Sequence, residues 1–374
     1  MKKTLSLSFI LLCALGWSQT TTTHTLTFQD SIRDYRLYVP AAYDGSEAVP
    51  LLFNLHGYTS NSTAQENYGD FRGIADTANF ILIHPNGTFD ENGDRWWNSY
   101  QVFGAVDDVA FLSHLIDVID ADYNINLDRV YSTGMSNGGF MSFELACASS
   151  RFTAVASVTG SMTSNRPSTC NPTRTTPAMQ IHGTADNVVP YAGNVYFAPV
   201  EDVVDFWVNH VNADPTPVVT NLPELDSNDP TSTEWFVYEN GDQNATVEHF
   251  KVTNGGHTWP GSAFEIGVTS QDFDASVEIW RFFSQYDAAT LNTTSITLDD
   301  FEVSVFPNPS QDGKIKIESN HALDAIKVTD VLGKSILEKT PKTNSFELEL
   351  KDRGVYFISI STKAKQITKR VVVQ

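Results

Sequence analysis

The sequence predicts an α/β fold, a mostly parallel sheet with helices on both faces, followed by a small C-terminal all-β sandwich. Between about residues 22 and 287, short apolar runs alternate with segments that carry apolar residues at helical spacing. That alternation favours parallel strands connected by helices. After residue 300 the pattern changes to closely spaced strand-like runs divided by turns, which is typical of a β-sandwich.

The predicted elements of the first region follow this alternation in chain order. Its predicted strands are short runs rich in β-branched and aromatic residues, at 33–39, 50–55, 80–84, 129–133, 154–158 and 178–182. Its predicted helices lie at 106–123, 200–210 and 272–286. The first of these helices has apolar residues at helical spacing, namely Val109, Leu112, Ile116 and Ile119. The C-terminal region contains seven strand-like runs, at 301–306, 314–319, 325–331, 334–338, 345–350, 354–360 and 367–373.

The first 18 residues are predicted to be a secretory signal peptide. Lys2 and Lys3 precede a mostly apolar run at 5–15, and small and polar residues follow at 16–19. The apolar run is too short to span a membrane, and no other stretch is long and apolar enough to do so. The predicted division of the chain is signal peptide 1–18, large α/β domain 19–287, Thr/Asn-rich linker 288–300 and β-domain 301–374.

The charge of the chain is uneven, and this excludes some partners. The whole chain carries a net charge of −21, yet residues 301–374 hold 12 basic and 9 acidic residues. The large domain is therefore strongly acidic. An acidic domain disfavours nucleic acid and anionic membranes as partners and suits a neutral substrate outside the cell.

Two cysteines remain once Cys13 is assigned to the signal peptide. Cys147 and Cys170 form an even pair in an exported protein, so a disulfide is expected, with two free buried thiols as the alternative. No Cys/His spacing indicates a structural zinc site, and no metal is expected.

The segment VYSTGMSNGG at 130–139 has the pattern of a nucleophile elbow. A β-prone run ends in G-x-S-x-G and a helix-compatible segment follows, so Ser136 would lie at a sharp strand-to-helix turn. Close backbone approach at such a bend requires glycine at positions 134 and 138. A glycine-rich turn without catalytic function is the alternative for the bare motif.

A serine nucleophile needs a base and an acid that orients the base. After an elbow, the expected chain order is Ser, then Asp or Glu, then His. Asp186 lies in a loop after the predicted strand 178–182, and His257 lies in a glycine-rich loop before the last helix. The alternatives are a solvated turn residue for Asp186 and a structural loop residue for His257. We expect His182 to be a packing residue and Asp107 and Asp108 to cap a helix.

The same chemistry requires two N–H donors for an oxyanion and a surface for the substrate. The predicted donors are the backbone N–H groups of Asn137 and Tyr58. His56 is expected to fix the loop that carries Tyr58. Trp97 and Trp259 are candidates for a substrate-binding aromatic wall, with Trp96 beside them. Ordinary core packing is the alternative for the tryptophan pair.

Four motifs together resemble one branch of the α/β-hydrolases. They are HG at 56–57, GMSNGG at 134–139, HGTAD at 182–186 and GGHTWPG at 255–261. This branch contains extracellular polyhydroxybutyrate depolymerases, feruloyl esterases and acetylxylan esterases, and the resemblance covers about residues 25–286. It implies Ser136 as nucleophile, Asp186 as acid, His257 as base and no cofactor.

Two further features bear on this resemblance. Family members often have a disulfide near the elbow helix, which fits Cys147 and Cys170. They also often have a cysteine beside the tryptophan pair, whereas DRWWN at 94–98 has none. The resemblance therefore does not determine which residues form the wall on the substrate side.

The C-terminal region resembles the sorting domain of the type IX secretion system. The matching segments are VFPNP at 305–309, VLGK at 331–334, GVYFI at 354–358 and the basic pair at 369–370. The resemblance implies export through the periplasm, the secretion machinery as a partner, and a secreted or cell-surface location. A carbohydrate-binding β-module is the alternative.

The sequence therefore predicts a secreted serine carboxylic-ester hydrolase that acts through an acyl-enzyme. Feruloyl or acetyl esters of polysaccharide are the first substrate hypothesis, and a polyhydroxyalkanoate or another polyester is the second. The hypotheses from other classes are a serine peptidase and a non-catalytic adhesin. The acyl group, the oligomeric state and the cleavage sites stay open.

Overall fold

The computed structural model describes residues 20–374 except 101, 103–104, 265, 292–302, 332 and 363–365. The predicted signal peptide at 1–18 and most of the predicted linker, residues 292–300, lie outside the described residues. Within the described part of the chain, no helix combines the length and the apolar character needed to cross a membrane.

The large unit contains twelve strands and eight helices among its described residues. The strands are β1 Thr20–Phe28, β2 Ser31–Val39, β3 Val49–Leu55, β4 Ile81–Pro85, β5 Thr88–Phe89, β6 Arg95–Trp96, β7 Ile125–Met135, β8 Ala154–Val158, β9 Ala178–Gly183, β10 Val218–Asn221, β11 Ser232–Tyr238 and β12 Val247–Thr253. The helices are α1 Ser62–Tyr68, α2 Arg72–Ala78, α3 Asp108–Asp122, α4 Asn137–Ala148, α5 Arg166–Thr169, α6 Val200–His210, α7 Ala275–Phe283 and α8 Ala288–Leu291. A 3₁₀ turn lies at Asp242–Asn244.

Ten of these strands form one sheet in the order β1-β2-β4-β3-β7-β8-β9-β12-β11-β10. The six central strands, from β4 to β12, are parallel to their neighbours. Antiparallel pairs flank them on both sides. The predicted mostly parallel sheet is confirmed. Because the carboxyl ends of the central strands share one edge, the loops that follow them meet there.

Helices cover both faces of this sheet, as two neighbouring residues of β7 demonstrate. Tyr131 stacks on Phe283 of α7, and its hydroxyl donates to the carbonyl of Tyr286. Ser132 points the other way and shares a hydrogen bond with Ser142 of α4. Since successive side chains of a strand alternate between faces, α7 and α4 lie on opposite sides.

Strand β12, which leads to the His257 loop, is one of the elements that the sequence pattern did not reveal. It contains Glu248 in a buried position, where apolar residues are the rule. Both carboxylate oxygens of Glu248 are hydrogen-bonded to the Arg281 guanidinium, and one also accepts from Trp235 Nε1 at 2.8 Å. The buried charge is therefore fully paired, which makes a charged residue tolerable inside the sheet.

The start of the predicted linker is part of the large unit. Residues 288–291 form helix α8, and Leu291 is buried in the core of the large unit. A Thr/Asn-rich composition concealed this helix, because the apolar side chain that anchors it is a single leucine.

The C-terminal region forms two small antiparallel sheets with a core of their own. Their strands are β13 Val303–Phe306, β14 Lys314–Ser319, β15 Ala325–Asp330, β16 Ser335–Lys339, β17 Ser345–Glu349, β18 Gly354–Ser361 and β19 Gln366–Val373. The sheet orders are β13-β14-β17 and β16-β15-β18-β19. All seven predicted strands are present. Arg370 of β19 lies over the ring of Trp235 at 4.1 Å and donates to Thr220 Oγ1.

Cys147 and Cys170 form a disulfide, with 5.2 Å between their Cα atoms. The bridge joins the last turn of α4 to the residue after α5. The expected pairing is confirmed, and it fixes the far end of the helix that begins directly after Ser136.

Replacing both cysteines, as in Cys147→Ala with Cys170→Ala, should lower the free energy of unfolding by roughly 3 kcal/mol, because a covalent loop of about 24 residues restricts the unfolded chain. Urea unfolding followed by circular dichroism measures this difference. Ser150→Ala, an exposed change on the same segment, serves as control. An unchanged unfolding free energy in the double variant would contradict the stabilising role.

Candidate active site

Ser136 occupies the turn between β7 and α4 in a strained backbone conformation. Its φ and ψ are 55° and −121°, a region that residues with a side chain rarely adopt. Its N–H donates to Val158 O at 2.8 Å, and its carbonyl accepts from Phe140 N at 2.9 Å. The turn is thus tied on one side to the neighbouring strand and on the other to the helix.

Glycine is required on both sides of this turn by the close approach of β3. A Cβ atom at position 134 would lie 2.5 Å from the carbonyl oxygen of Leu55, and one at position 138 would lie 2.2 Å from the same atom. Those distances are far inside van der Waals contact. The G-x-S-x-G pattern is therefore a packing requirement of the β3–β7 contact.

The imidazole of His257 is hydrogen-bonded to the carboxylate of Asp186. The distance from His257 Nδ1 to Asp186 Oδ2 is 2.7 Å, and the Asp186 side chain is fully buried. An ionised carboxylate only accepts hydrogen bonds, so Nδ1 carries the proton and Nε2 has a free lone pair. His257 follows β12 and Asp186 follows β9, which places both at the sheet edge where β7 delivers Ser136.

The surroundings of Asp186 keep it ionised. Burial alone would raise its pKa, but hydrogen bonds from His182 and His257 outweigh burial and hold the pKa of Asp186 well below its usual range. Its other oxygen accepts the N–H groups of Val188 and Val189, each at 2.8 Å. His182, expected to be a packing residue, is buried and also faces this carboxylate at 3.4 Å.

Two backbone N–H groups near Ser136 have no hydrogen-bond partner in the described part of the chain. They belong to Asn137, the first residue of α4, and to Tyr58, in the loop after β3. A first-turn N–H has no acceptor within its own helix. The loop of Tyr58 also lies close to Ser136, since a Cβ at Gly57 would be 3.4 Å from Ser136 Cβ. Both predicted oxyanion donors are therefore free.

The Tyr58 loop is held rigidly by its neighbours. The Thr59 N–H donates to Arg95 O at 2.8 Å, and the Tyr58 hydroxyl donates to Asp90 at 2.8 Å and Asp94 at 3.2 Å. The hydrogen bond to Asp90 raises the pKa of Tyr58 to about 12. Anchored in this way, the N–H of Tyr58 needs no rearrangement to meet an oxyanion.

His56 also fixes the loop that carries Tyr58, as the sequence predicted. Its Nε2 accepts the N–H of Gly87 at 3.0 Å, so Nδ1 carries the proton and donates to Gly57 O at 2.7 Å. Burial lowers the pKa of His56 to about 4. A neutral histidine that uses both ring nitrogens on backbone groups is a structural residue rather than a second base.

The prediction that Trp97 and Trp259 bind substrate is wrong. Trp97 is 0% exposed and its Nε1 donates to His56 O at 3.0 Å, while Asn137 bonds to both backbone groups of Trp97. Trp259 is 1% exposed and lies against Gly69, with its Nε1 on Ser276 Oγ. Both rings pack beneath the loops that carry the site, because each indole N–H finds its acceptor in the interior.

A different aromatic cluster, the aromatic strip, lies beside Ser136. Phe140, one turn along α4, packs against Tyr100 at 5.7 Å and Phe197 at 5.1 Å between ring centroids. Tyr100 and the neighbouring Tyr196 are 38% and 72% exposed. The sequence shows these aromatic residues in three separate segments, and only the fold brings them together. Trp96, half-buried, adjoins the strip through Tyr100.

Asp107 and Asp108 have separate structural roles. Asp107 caps α3 by accepting from Ala110 N, as predicted. Asp108 is not a cap. It is buried, pairs with Arg33 at 2.7 Å and accepts the N–H of Asn98 at 2.8 Å. The pair holds the segment that carries Trp97.

Among the described residues, Ser136 Oγ forms no hydrogen bond. Ser136 and His257 lie at the same edge of the sheet, with no hydrogen bond between their side chains in the described part of the chain. In ligand-free enzymes such bonds are often long and tighten only when substrate binds. The roles of the three residues thus depend on position and on the His257–Asp186 bond.

Two family models match separate parts of the chain. Residues 33–173 match the esterase PHB depolymerase family, and residues 304–374 match the secretion system C-terminal sorting domain. The first match includes Ser136 and ends before Asp186 and His257. The second covers nearly all of the predicted C-terminal β-domain.

Several proteins named as esterases are similar in sequence. The bifunctional acetylxylan esterase/xylanase XynS20E of Neocallimastix patriciarum is 26% identical over 263 residues, which is 69% of this chain and 34% of that protein. The putative esterase NocK of Nocardia uniformis subsp. tsuyamanensis is 28% identical, over 66% of this chain and 76% of that protein. A probable feruloyl esterase C of Aspergillus clavatus is 32% identical, over 44% of this chain and 59% of that protein. The chain thus spans about a third of the first relative and over half of the third.

An acetyl xylan esterase from Aspergillus awamori has a similar structure, with a TM-score of 0.51 and 13% identity over 70% of this chain and 99% of that chain. At that identity the likeness concerns the fold. The resemblance predicted from the motifs is thereby confirmed: the chain joins an α/β-hydrolase unit that matches the PHB depolymerase esterase family to a secretion-system sorting domain.

Proposed function

We propose that this protein is a secreted serine carboxylic-ester hydrolase, with Ser136 as nucleophile, His257 as base and Asp186 as the acid that orients it. One observation carries the proposal. The strained serine, two free N–H donors and the His257–Asp186 pair all lie at the carboxyl edge of one sheet. A structural turn would need neither the strain nor the unpaired donors.

The proposal gives each of these groups a role in acyl transfer. His257 Nε2 takes the proton of Ser136 Oγ as that oxygen attacks the ester carbonyl, and the protonated imidazole then donates to the leaving alcohol. Asp186 holds the imidazole in the required tautomer. The N–H groups of Tyr58 and Asn137 stabilise the oxyanion, and water hydrolyses the acyl-enzyme by the same steps in reverse. These residues complete the reaction without a cofactor.

The surface around the site supports a substrate with apolar or aromatic character. Many exposed apolar side chains lie in the segments that follow the carboxyl ends of the central strands, namely Tyr58, Phe89, Tyr100, Val102, Val188, Val195, Tyr196, Phe264, Ile266 and Val268. Exposed apolar surface of this kind marks a binding region. The acidic charge of the large unit favours an uncharged polymer. Feruloyl or acetyl esters of a neutral polysaccharide satisfy both conditions.

A polyester is the second candidate substrate. The description of the matched family names PHB depolymerase, an enzyme that acts on a polyester. The same apolar surface would suit a hydrophobic polymer chain. The sorting-domain match supports export, with the secretion machinery as the partner that reads residues 304–374.

Ser136→Ala should lower kcat for p-nitrophenyl acetate by about six orders of magnitude, because the attacking oxygen is lost while the fold is kept. Steady-state hydrolysis by the full chain measures this, with circular dichroism as the folding check. Ser150→Ala should retain full activity. Near-normal turnover in a folded Ser136→Ala protein would refute the assignment.

Asp186→Asn should lower kcat by about four orders of magnitude, because an amide can present its N–H to His257 and favour the wrong tautomer. The matched control is Asp120→Asn, an exposed carboxylate on α3. A loss below tenfold in Asp186→Asn would show that another group orients the base.

Tyr100→Ala and Tyr196→Ala should each reduce kcat/KM for methyl ferulate by roughly tenfold, because each removes an aromatic contact for the feruloyl ring. The same proteins are assayed on acetylated xylan, amorphous polyhydroxybutyrate and a proline-containing peptide. Leu127→Ala, an exposed apolar change at the opposite end of β7, is the control.

The panel distinguishes the candidate substrates. A preference for ferulate or acetylxylan agrees with polysaccharide ester hydrolysis, and clearing of the polyester would move the assignment to a depolymerase. Peptide cleavage without ester cleavage would contradict the esterase proposal.

A further inference from the structure

Three carboxylates from two loops converge on one point away from Ser136. One ligand oxygen each of Glu224, Asp229 and Asp272 lies within 4.8 Å of the other two. Glu224 and Asp229 belong to the loop between β10 and β11. Asp272 belongs to the long loop between β12 and α7, which also carries His257.

Asp272 distinguishes this cluster from a group of exposed acidic residues. Its side chain is buried, with 4% of the residue exposed. Its Oδ1 accepts the N–H of Leu225 at 2.9 Å, whereas its Oδ2 is buried and has no hydrogen-bond partner among the described residues. A buried carboxylate oxygen without a donor is costly unless a ligand or a proton satisfies it.

The local charge favours a cation over other ligands. No lysine, arginine or histidine in the described part of the chain forms an ion pair with the three carboxylates. Three like charges at this separation repel one another unless positive charge is added.

Hydrogen bonds already hold the two loops in register around the cluster. Asp229 Oδ2 accepts the N–H of Gln271 at 2.9 Å, and Asp229 Oδ1 accepts from the backbone and hydroxyl of Thr231. The hydrogen bond from Leu225 N to Asp272 Oδ1 also joins the two loops. The carboxylates of Asp229 and Asp272 are therefore held in place by backbone N–H groups.

The donor set is that of a calcium site. Every candidate ligand is a carboxylate oxygen, which suits a hard cation and not zinc, since no cysteine or histidine takes part. Two oxygens on opposite sides of a Ca²⁺ ion lie about 4.8 Å apart at a usual bond length of about 2.4 Å. Exposed Glu224 leaves one side open to the waters that complete the coordination.

We infer that Glu224, Asp229 and Asp272 bind one Ca²⁺ ion that joins the two loops. The ion would stabilise the loop of His257, because the segment before Asp272 is bonded to the catalytic turn. Gly256 N donates to Val268 O at 2.8 Å, and Gly261 N donates to Ser270 O at 2.9 Å. The calcium site takes no part in the proposed reaction. The inference therefore does not depend on which ester is the substrate.

The test uses the full chain, treated with EDTA and then dialysed. Thermal unfolding is followed with and without calcium chloride, and calcium binding is measured by titration calorimetry. At a calcium concentration about 100-fold above Kd, the wild-type Tm should rise by roughly 5 °C. Hydrogen exchange in residues 222–231 and 262–272 should slow on calcium addition.

Asp272→Asn and Glu224→Gln separate calcium binding from simple repulsion. In EDTA each variant should match or exceed the wild-type Tm, because one negative charge is gone. In calcium each should fall below wild type, because a ligand is lost. Glu47→Gln, an exposed change outside the cluster, should keep the full calcium response.

Two results would overturn the inference. One is a wild-type Tm and calorimetric trace that calcium leaves unchanged, which would mean that a proton shared by Glu224 and Asp272 satisfies the buried oxygen. The other is an equal calcium response in wild type and Asp272→Asn, which would place the bound ion elsewhere. Either result leaves the ester-hydrolase proposal untouched.

Discussion

The contact between the end of β3 and the turn after β7 is the constraint on which the site depends. The carbonyl of Leu55 lies so close to the turn that only glycine fits at positions 134 and 138. This contact keeps Ser136 in its strained conformation and brings the Tyr58 loop beside it. Strain at such a position persists only because the surrounding sheet over-determines it. Ser136, the proposed nucleophile, and Tyr58, a proposed oxyanion donor, are thus positioned by the same packing contact.

The other groups are assembled around that contact by buried polar residues. Asn137 bonds to the backbone of Trp97, Trp97 bonds to His56, and His56 holds Gly57 and Gly87. Each member is satisfied, so the network orders the loops without exposing a charge. On the opposite side, Asp186 is fixed by two backbone N–H groups before it meets His257. The disulfide at the far end of α4 adds a covalent limit to movement of the elbow helix.

Part of the fold and of the candidate site could be predicted from the sequence. The elbow glycines, the disulfide, the seven C-terminal strands and helix 200–210 could be predicted because short-range patterns determine them. Strands β10, β11 and β12 were not predicted. For β12 the reason is that the charge of its buried Glu248 is compensated by Arg281, which is distant in sequence. Trp97 and Trp259 were misassigned because the sequence does not fix the direction of a side chain, and both indoles are buried. The aromatic strip could not be predicted, because it forms only when three segments that are distant in sequence come together.

The central claim is that Ser136 is the residue that becomes acylated. Its most direct test is to react the full chain with a fluorophosphonate probe and map the modified residue by peptide mass spectrometry. One label per chain, on the peptide that contains Ser136 and absent in Ser136→Ala, is the predicted result. A label on another residue, or no label on a folded and monodisperse protein, would contradict the account.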